Sequence, residues 1–256
     1  MTWRLRHQLI YLGVFALIFV SIFLVFNYIF APAPSCFDGR QNQDEAGVDC
    51  GGARCPACIT ETPKNVTVLW TRLFQIRTGT YEAAALVENP NIMLGARSIP
   101  YLIKFVDADG LVIATRRGET YALPQSRFLI YESGVVSALR KPTRVALELQ
   151  PFVWEAASKQ ELPIRIIKGE QSFGLDRPRY LVSLKNESIN AVSNIDVAAV
   201  VLDASGNALG VSASHLDAIG DSATQDVTFI WPFAFPQGHS PIHVDVLVRK
   251  NPWAAH

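Results

Sequence analysis

The stretch Phe105-Val-Asp-Ala-Asp-Gly110 returns 96 residues later as Val201-Leu-Asp-Ala-Ser-Gly206. Other landmarks repeat at nearly the same shift. Val87-Glu-Asn-Pro90 matches Leu184-Lys-Asn-Glu187, and Arg127–Tyr131 aligns with Asp226–Ile230. Arg144–Gln150 followed by Trp154 matches His243–Arg249 followed by Trp253. A shift held between 96 and 99 across five landmarks reads as a duplication, with copies over 61–156 and 157–256. Each copy has the size of a β-sandwich domain. Apolar and polar residues alternate through both, the period of a strand with one buried face. The pattern predicts six strands in the first copy: Val66–Arg77, Tyr81–Glu88, Pro100–Asp107, Leu111–Arg116, Arg127–Glu132 and Thr143–Gln150. It predicts six in the second: Pro163–Lys168, Tyr180–Lys185, Asn194–Asp203, Ala208–Ser212, Thr224–Ile230 and Ile242–Arg249. Asp107–Gly110 and Asp203–Gly206 fall between consecutive strands, where Asp, Ser and Gly suit a tight turn. Glu155–Leu162 is the one short helical candidate, at the junction of the copies.

The long apolar strand ending in Asp-x-x-Gly, after Asn-Pro or Asn-Glu, resembles FxLYD-type repeats. Asp107–Gly110 and Asp203–Gly206 carry the likeness; the family's Tyr-Asp is Val106-Asp107 and Leu202-Asp203 here. The resemblance implies two tandem Ig-like antiparallel sandwiches of an exported protein, and so a mainly β fold. It implies no reaction, because a fold does not fix a function.

Ahead of the duplication, Leu9–Phe30 runs 22 residues without a charge. As a helix it would extend about 33 Å, enough for a bilayer core. The leader, residues 1–8, holds Arg4 and Arg6; from the span to residue 50 the only cation is Arg40. The positive-inside rule then predicts a single-pass signal anchor over 9–30 in the cell membrane, in contact with the lipid bilayer. The N-terminus would be cytoplasmic and residues 31–256 periplasmic or extracellular. A cleaved signal peptide is the competing reading; the run is longer than a signal h-region, and Pro34 would follow the Ala31-x-Ala33 cut.

All four cysteines, Cys36, Cys50, Cys55 and Cys58, lie within 23 residues. Outside the cytoplasm such a cluster reads as disulfides in a stapled module over 31–60, with three pairings open. A four-cysteine zinc site would need two close pairs, and a redox Cys-x-x-Cys would need a βαβ context. Asp38, Asn42, Asp44, Glu45 and Asp49 supply the hard oxygens that Ca²⁺ takes, though not at EF-hand spacing. The plainer reading is that they solvate a loop. The segment resembles the C-x-D-G-x-x-N-x-x-E-x-x-V-D-C-G-G-x-C-x-x-C module of prokaryotic surface proteins, with one extra residue between Gly52 and Cys55. That likeness implies an extracytoplasmic disulfide module that calcium stabilises.

Catalytic signals are sparse. Lys+Arg and Asp+Glu balance at 23 each, which leaves no electrostatic footprint for nucleic acid. There is no nucleotide loop and no Gly-x-Ser-x-Gly elbow. His239-x₃-His243 has metal-ligand spacing, but Pro241 lies between the two. His215 has Ser214 and Asp217 beside it, without a marked nucleophile. Asp107, Asp109 and Asp203 read as turn acids. Trp231, Phe233 and Phe235, in Trp231-Pro-Phe-Ala-Phe-Pro236, break the strand alternation. They are either core or an exposed contact for a partner. The sequence therefore predicts a binding or scaffolding protein that holds a protein or envelope polymer near the membrane. An accessory subunit of a membrane complex and a tethered enzyme are the alternatives.

Overall fold

The computed structural model describes residues 3–30, 35–36, 38–55, 58, 62–137, 140–174, 177–232, 234–235 and 241–254. For 4–6, 9–10, 27–30, 168 and 242 it describes the backbone alone. The chain divides into two compact units, 1–58 and 59–256. The first holds α1 (Trp3–Phe30) and the cysteine segment. α1 is 28 residues long and contains the whole uncharged run. Within the uncharged run the described side chains are those of residues 11–26, and all are exposed. Among the described residues, no helix is long and apolar enough to cross a membrane.

The second unit is built from strands. The first copy contains β1 (Thr67–Arg77), β2 (Thr80–Asn89), β3 (Leu94–Val106), β4 (Val112–Ala122), β5 (Ser126–Val136), β6 (Arg144–Leu149) and the short β7 (Glu155–Ala156). The second contains β8 (Ile164–Ser172), β9 (Arg179–Asn186), β10 (Val192–Asp203), β11 (Ala208–Ile219), β12 (Thr224–Ile230) and β13 (Pro241–Lys250). All twelve expected strands form. The helix expected at Glu155–Leu162 does not: Glu155 and Ala156 instead pair with Gly95 and Leu94 at the start of β3. An eight-residue amphipathic pattern is too short to be a stable helix without packing, and here a sheet edge takes its backbone groups.

Both copies have one topology. Sheet β1-β2-β5 faces sheet β4-β3-β6 in the first, and β8-β9-β12 faces β11-β10-β13 in the second, all antiparallel. The core of the first copy lies between its sheets, with Val87, Ile99, Phe105 and Phe128 almost fully buried. That of the second holds Leu184, Ile195, Val197 and Phe229 in the same way. A third apolar layer joins the copies: Ala84 and Leu129 of the β1-β2-β5 sheet are buried with Val200 and Val211 of the β11-β10-β13 sheet. Four sheets thus stack with three apolar layers between them. The two middle sheets are covered on both faces, which is why Ala83-Ala-Ala85 and Ala199-Val-Val201 do not alternate.

The repeated residues are pins at corresponding places. Asn89 and Asn186 are fully buried. The Asn89 amide donates to Leu94 O and Leu123 O, each at 2.8 Å. The Asn186 amide donates to Asn190 O at 2.7 Å and Gly220 O at 2.8 Å. Each side chain ties the turn after its own strand to the turn that precedes the fifth strand of its copy. Asp107 Oδ1 accepts from the N–H groups of Asp109 and Leu111. Asp203 Oδ1 accepts from those of Ser205 and Asn207. Gly110 and Gly206 take φ of 83° and 77° to close these turns. The Arg140 guanidinium on Asp107 holds that carboxyl below the usual range.

Replacing Asn186 with Ala removes the donor to the carbonyls of Asn190, Ile219 and Gly220, of which the Ile219 bond is buried. It should cost about 1–3 kcal/mol in denaturant unfolding, whereas Ile189→Ser nearby, at a side chain 84% exposed, should change stability by less than about 0.5 kcal/mol.

Candidate functional sites

In the first unit the four sulfurs pair as Cys36–Cys55 and Cys50–Cys58, an interleaved arrangement. With every sulfur in a disulfide, none is a thiolate for zinc and none is a redox dithiol. Gly47 and Cys50 exchange backbone hydrogen bonds at 3.0 and 3.3 Å. A Cβ on Gly47 would lie 3.0 Å from the Cys50 sulfur and 3.1 Å from that of Cys58, so only glycine lets the turn approach both.

Of the five oxygen-bearing residues proposed for Ca²⁺, the four carboxylates accept hydrogen bonds within this loop, while among the described residues the Asn42 Oδ1 is buried without a partner. Asp49 accepts from the Asp38 and Gly39 N–H groups at 2.9–3.0 Å. Asp38 accepts from the N–H of Arg40 and Ser35 and from the Asn42 amide. These bonds, the Asn42 amide foremost, hold the Asp38 carboxyl below its usual range. Asp44 accepts from Ala53 N–H at 2.6 Å, which lowers its carboxyl likewise. Glu45 is buried, and its Oε2 accepts from Asn42 and Asp49 N–H. The convergent set of three potential ligands found among the described residues is Cys36, Glu45 and Cys55. Two of these are one disulfide. Among the described residues no three of Asp38, Asp44, Glu45 and Asp49 converge on one point. The acids instead satisfy the N–H groups of a chain too short to make secondary structure.

In the second unit a cleft of about 340 Å³ opens along the seam between the copies, lined in part by Tyr101, Asp196, His215 and Arg249. His215 Nδ1 lies 2.9 Å from Asp196 Oδ1. Its partner is therefore the residue opposite on β10, not Asp217 on its own strand. Asp196 also accepts from Tyr121 Oη–H at 3.1 Å. Arg249 donates to Tyr121 O and Thr120 Oγ1 and lies 4.2 Å from the centroid of the Tyr121 ring. Burial pushes the Tyr121 phenol above its ordinary range. The Tyr121 and Arg249 contacts cross from one copy to the other, so the network clamps the seam. No bond from a hydroxyl nucleophile to His215 is formed among the described residues. His243 is paired with Asp245 at 2.7 Å, and His239 lies outside the described residues.

The aromatic cluster sits at a groove of about 530 Å³. Its walls come from Leu73, Phe74 and Ile76 of β1 and from Leu209 and Gly210 of β11. Trp231 is 4% exposed and belongs to the second core, with its backbone N–H on Pro178 O at 2.9 Å. Its ring also lines the groove, and among the described residues the buried indole Nε1 has no hydrogen-bond partner. Phe235 is half-buried, with its ring centroid 5.5 Å from that of Trp231. Phe233 lies outside the described residues. Trp231 is thus a core residue that also borders an open groove. No protein-family model matches the chain, and no curated protein matches it.

Denatured but unreduced protein should take up no maleimide, and four equivalents after reduction. Glu45→Ala should destabilise the oxidised loop, read as faster proteolysis within 36–58, because two backbone N–H groups lose their acceptor.

Proposed function

We propose that the chain is a membrane-anchored, extracytoplasmic binding or scaffolding protein. It presents its paired sandwiches, of Ig-like type, to a protein partner at the envelope or cell surface. The observation that carries this reading is the helix. From Tyr11 to Phe26 every side chain of α1 is exposed, and apolar residues lie on all sides of it. A helix apolar all round needs an apolar surrounding. The sixteen consecutive described residues 11–26 are short of a bilayer, but the uncharged run of 22 residues, helical along its whole backbone, is not. Two disulfides directly after the helix favour an oxidising compartment for the chain beyond residue 30. The resemblance to exported FxLYD-type repeats points the same way. The anchor would raise the effective concentration of the sandwiches at the membrane.

The full chain should stay in the pellet after alkaline carbonate extraction, and a chain lacking 1–33 should leave it. Both disulfides, Cys36–Cys55 and Cys50–Cys58, should be formed in intact cells. Full-length protein in the carbonate supernatant would contradict the anchor.

A further inference from the structure

Three features coincide at the groove between β1 and β11. The first is the Trp231 indole, a buried N–H donor with no partner among the described residues, at the wall of an apolar space. A buried donor left unpaired is costly, so such a group marks a place where an acceptor arrives. The second is the pair of strands that form the walls. β1 is the outer strand of β1-β2-β5, and β11 is the outer strand of β11-β10-β13. Among the described residues, neither pairs with a further strand on its free side. An open edge offers backbone groups to an incoming chain. The third is the lining itself, where the rings of Phe74, Trp231 and Phe235 stand beside Pro232.

We infer that this groove binds an extended, uncharged apolar peptide segment of the partner, with a backbone carbonyl accepting from Trp231 Nε1. The inference rests on the partner-binding reading above and names the chemistry of that partner. An acyl chain would fill the same apolar space, but it brings no acceptor to the indole along its length and nothing to the strand edges. A peptide carries a carbonyl at every residue, and prolines preset the extended form that aromatic grooves take up. The lining holds one cation, Arg72, and one carboxyl, Glu82. Nothing there selects a strongly charged segment.

The test uses the full chain in phosphatidylcholine nanodiscs, with ¹⁵N-labelled tryptophan. The other indoles, at Trp3, Trp70, Trp154 and Trp253, serve as internal references. The probe is the peptide acetyl-Pro-Pro-Leu-Pro-Pro-Leu-Pro-amide, set against a Gly-Ser peptide of the same length and against palmitate. The expected result is a saturable downfield shift of the Trp231 indole resonance with the proline peptide, and none with the other two. Trp231→Phe keeps a ring in the core and removes the donor, at the cost of some core volume. It should remain folded, with a lowered melting temperature, and bind the peptide at least tenfold more weakly, followed by the fluorescence anisotropy of a labelled peptide. An unmoved Trp231 resonance would overturn the inference, as would palmitate producing the same shift, or equal binding by Trp231→Phe. If a protein co-purifies equally with the parent and with Trp231→Phe, the partner reading stands and the groove is not its site. Peptide binding without any co-purifying protein would separate the two the other way.

Discussion

The structure of the larger unit depends on the apolar layer between its two middle sheets. Ala84 and Leu129 on one side meet Val200 and Val211 on the other, all nearly removed from water. That layer turns two sandwiches, each able to fill its own core, into one four-sheet stack. It requires sheets that are apolar on both faces, and small side chains where they approach most closely. It also places the edge strand β1 of one copy beside the edge strand β11 of the other. The groove and the clamp of Asp196, His215, Tyr121 and Arg249 exist only because the seam is closed.

The same polar residues recur at corresponding positions of the two halves, in places where polar groups are expensive. A buried asparagine ties two turns together in each copy, and an aspartate caps the turn after the third strand of each. These are backbone jobs, and a residue that performs one is constrained whatever the protein binds. The copies diverge where the seam does not demand likeness. Asp107 takes Arg140 as its second partner, while Asp203 takes the Asn207 amide at 3.2 Å. The aromatic groove belongs to the second copy's loop and has no counterpart in the first among the described residues.

Much of the fold was legible because strand alternation is a local property. The twelve strands were found, but β4 and β11 run on to Ala122 and Ile219, past the points where polar residues ended the pattern. The triple alanine at 83–85 and the run from Ala198 to Val201 broke the alternation, and that break was the signal of burial on both faces. The sites were less legible, because a site is a matter of convergence. Acids at 38, 44, 45 and 49 have the composition of a calcium loop, yet their oxygens turn to separate backbone N–H groups. His215 has Asp217 near in sequence, while strand register sets it opposite Asp196. The disulfide pairing could not be read, since all three pairings share one sequence. Trp231 stood out as part of an aromatic cluster, but the missing partner of its indole appears only when the tertiary structure surrounds it.

The most direct measurement is hydrogen exchange of the full chain, followed residue by residue through low concentrations of denaturant. If the shared layer makes the copies one cooperative body, the slowest amides of β2 and of β10 should open in the same event, with one free energy and one denaturant dependence. Separate opening of the two strands, with one sandwich unfolding while the other keeps its protection, would contradict the account.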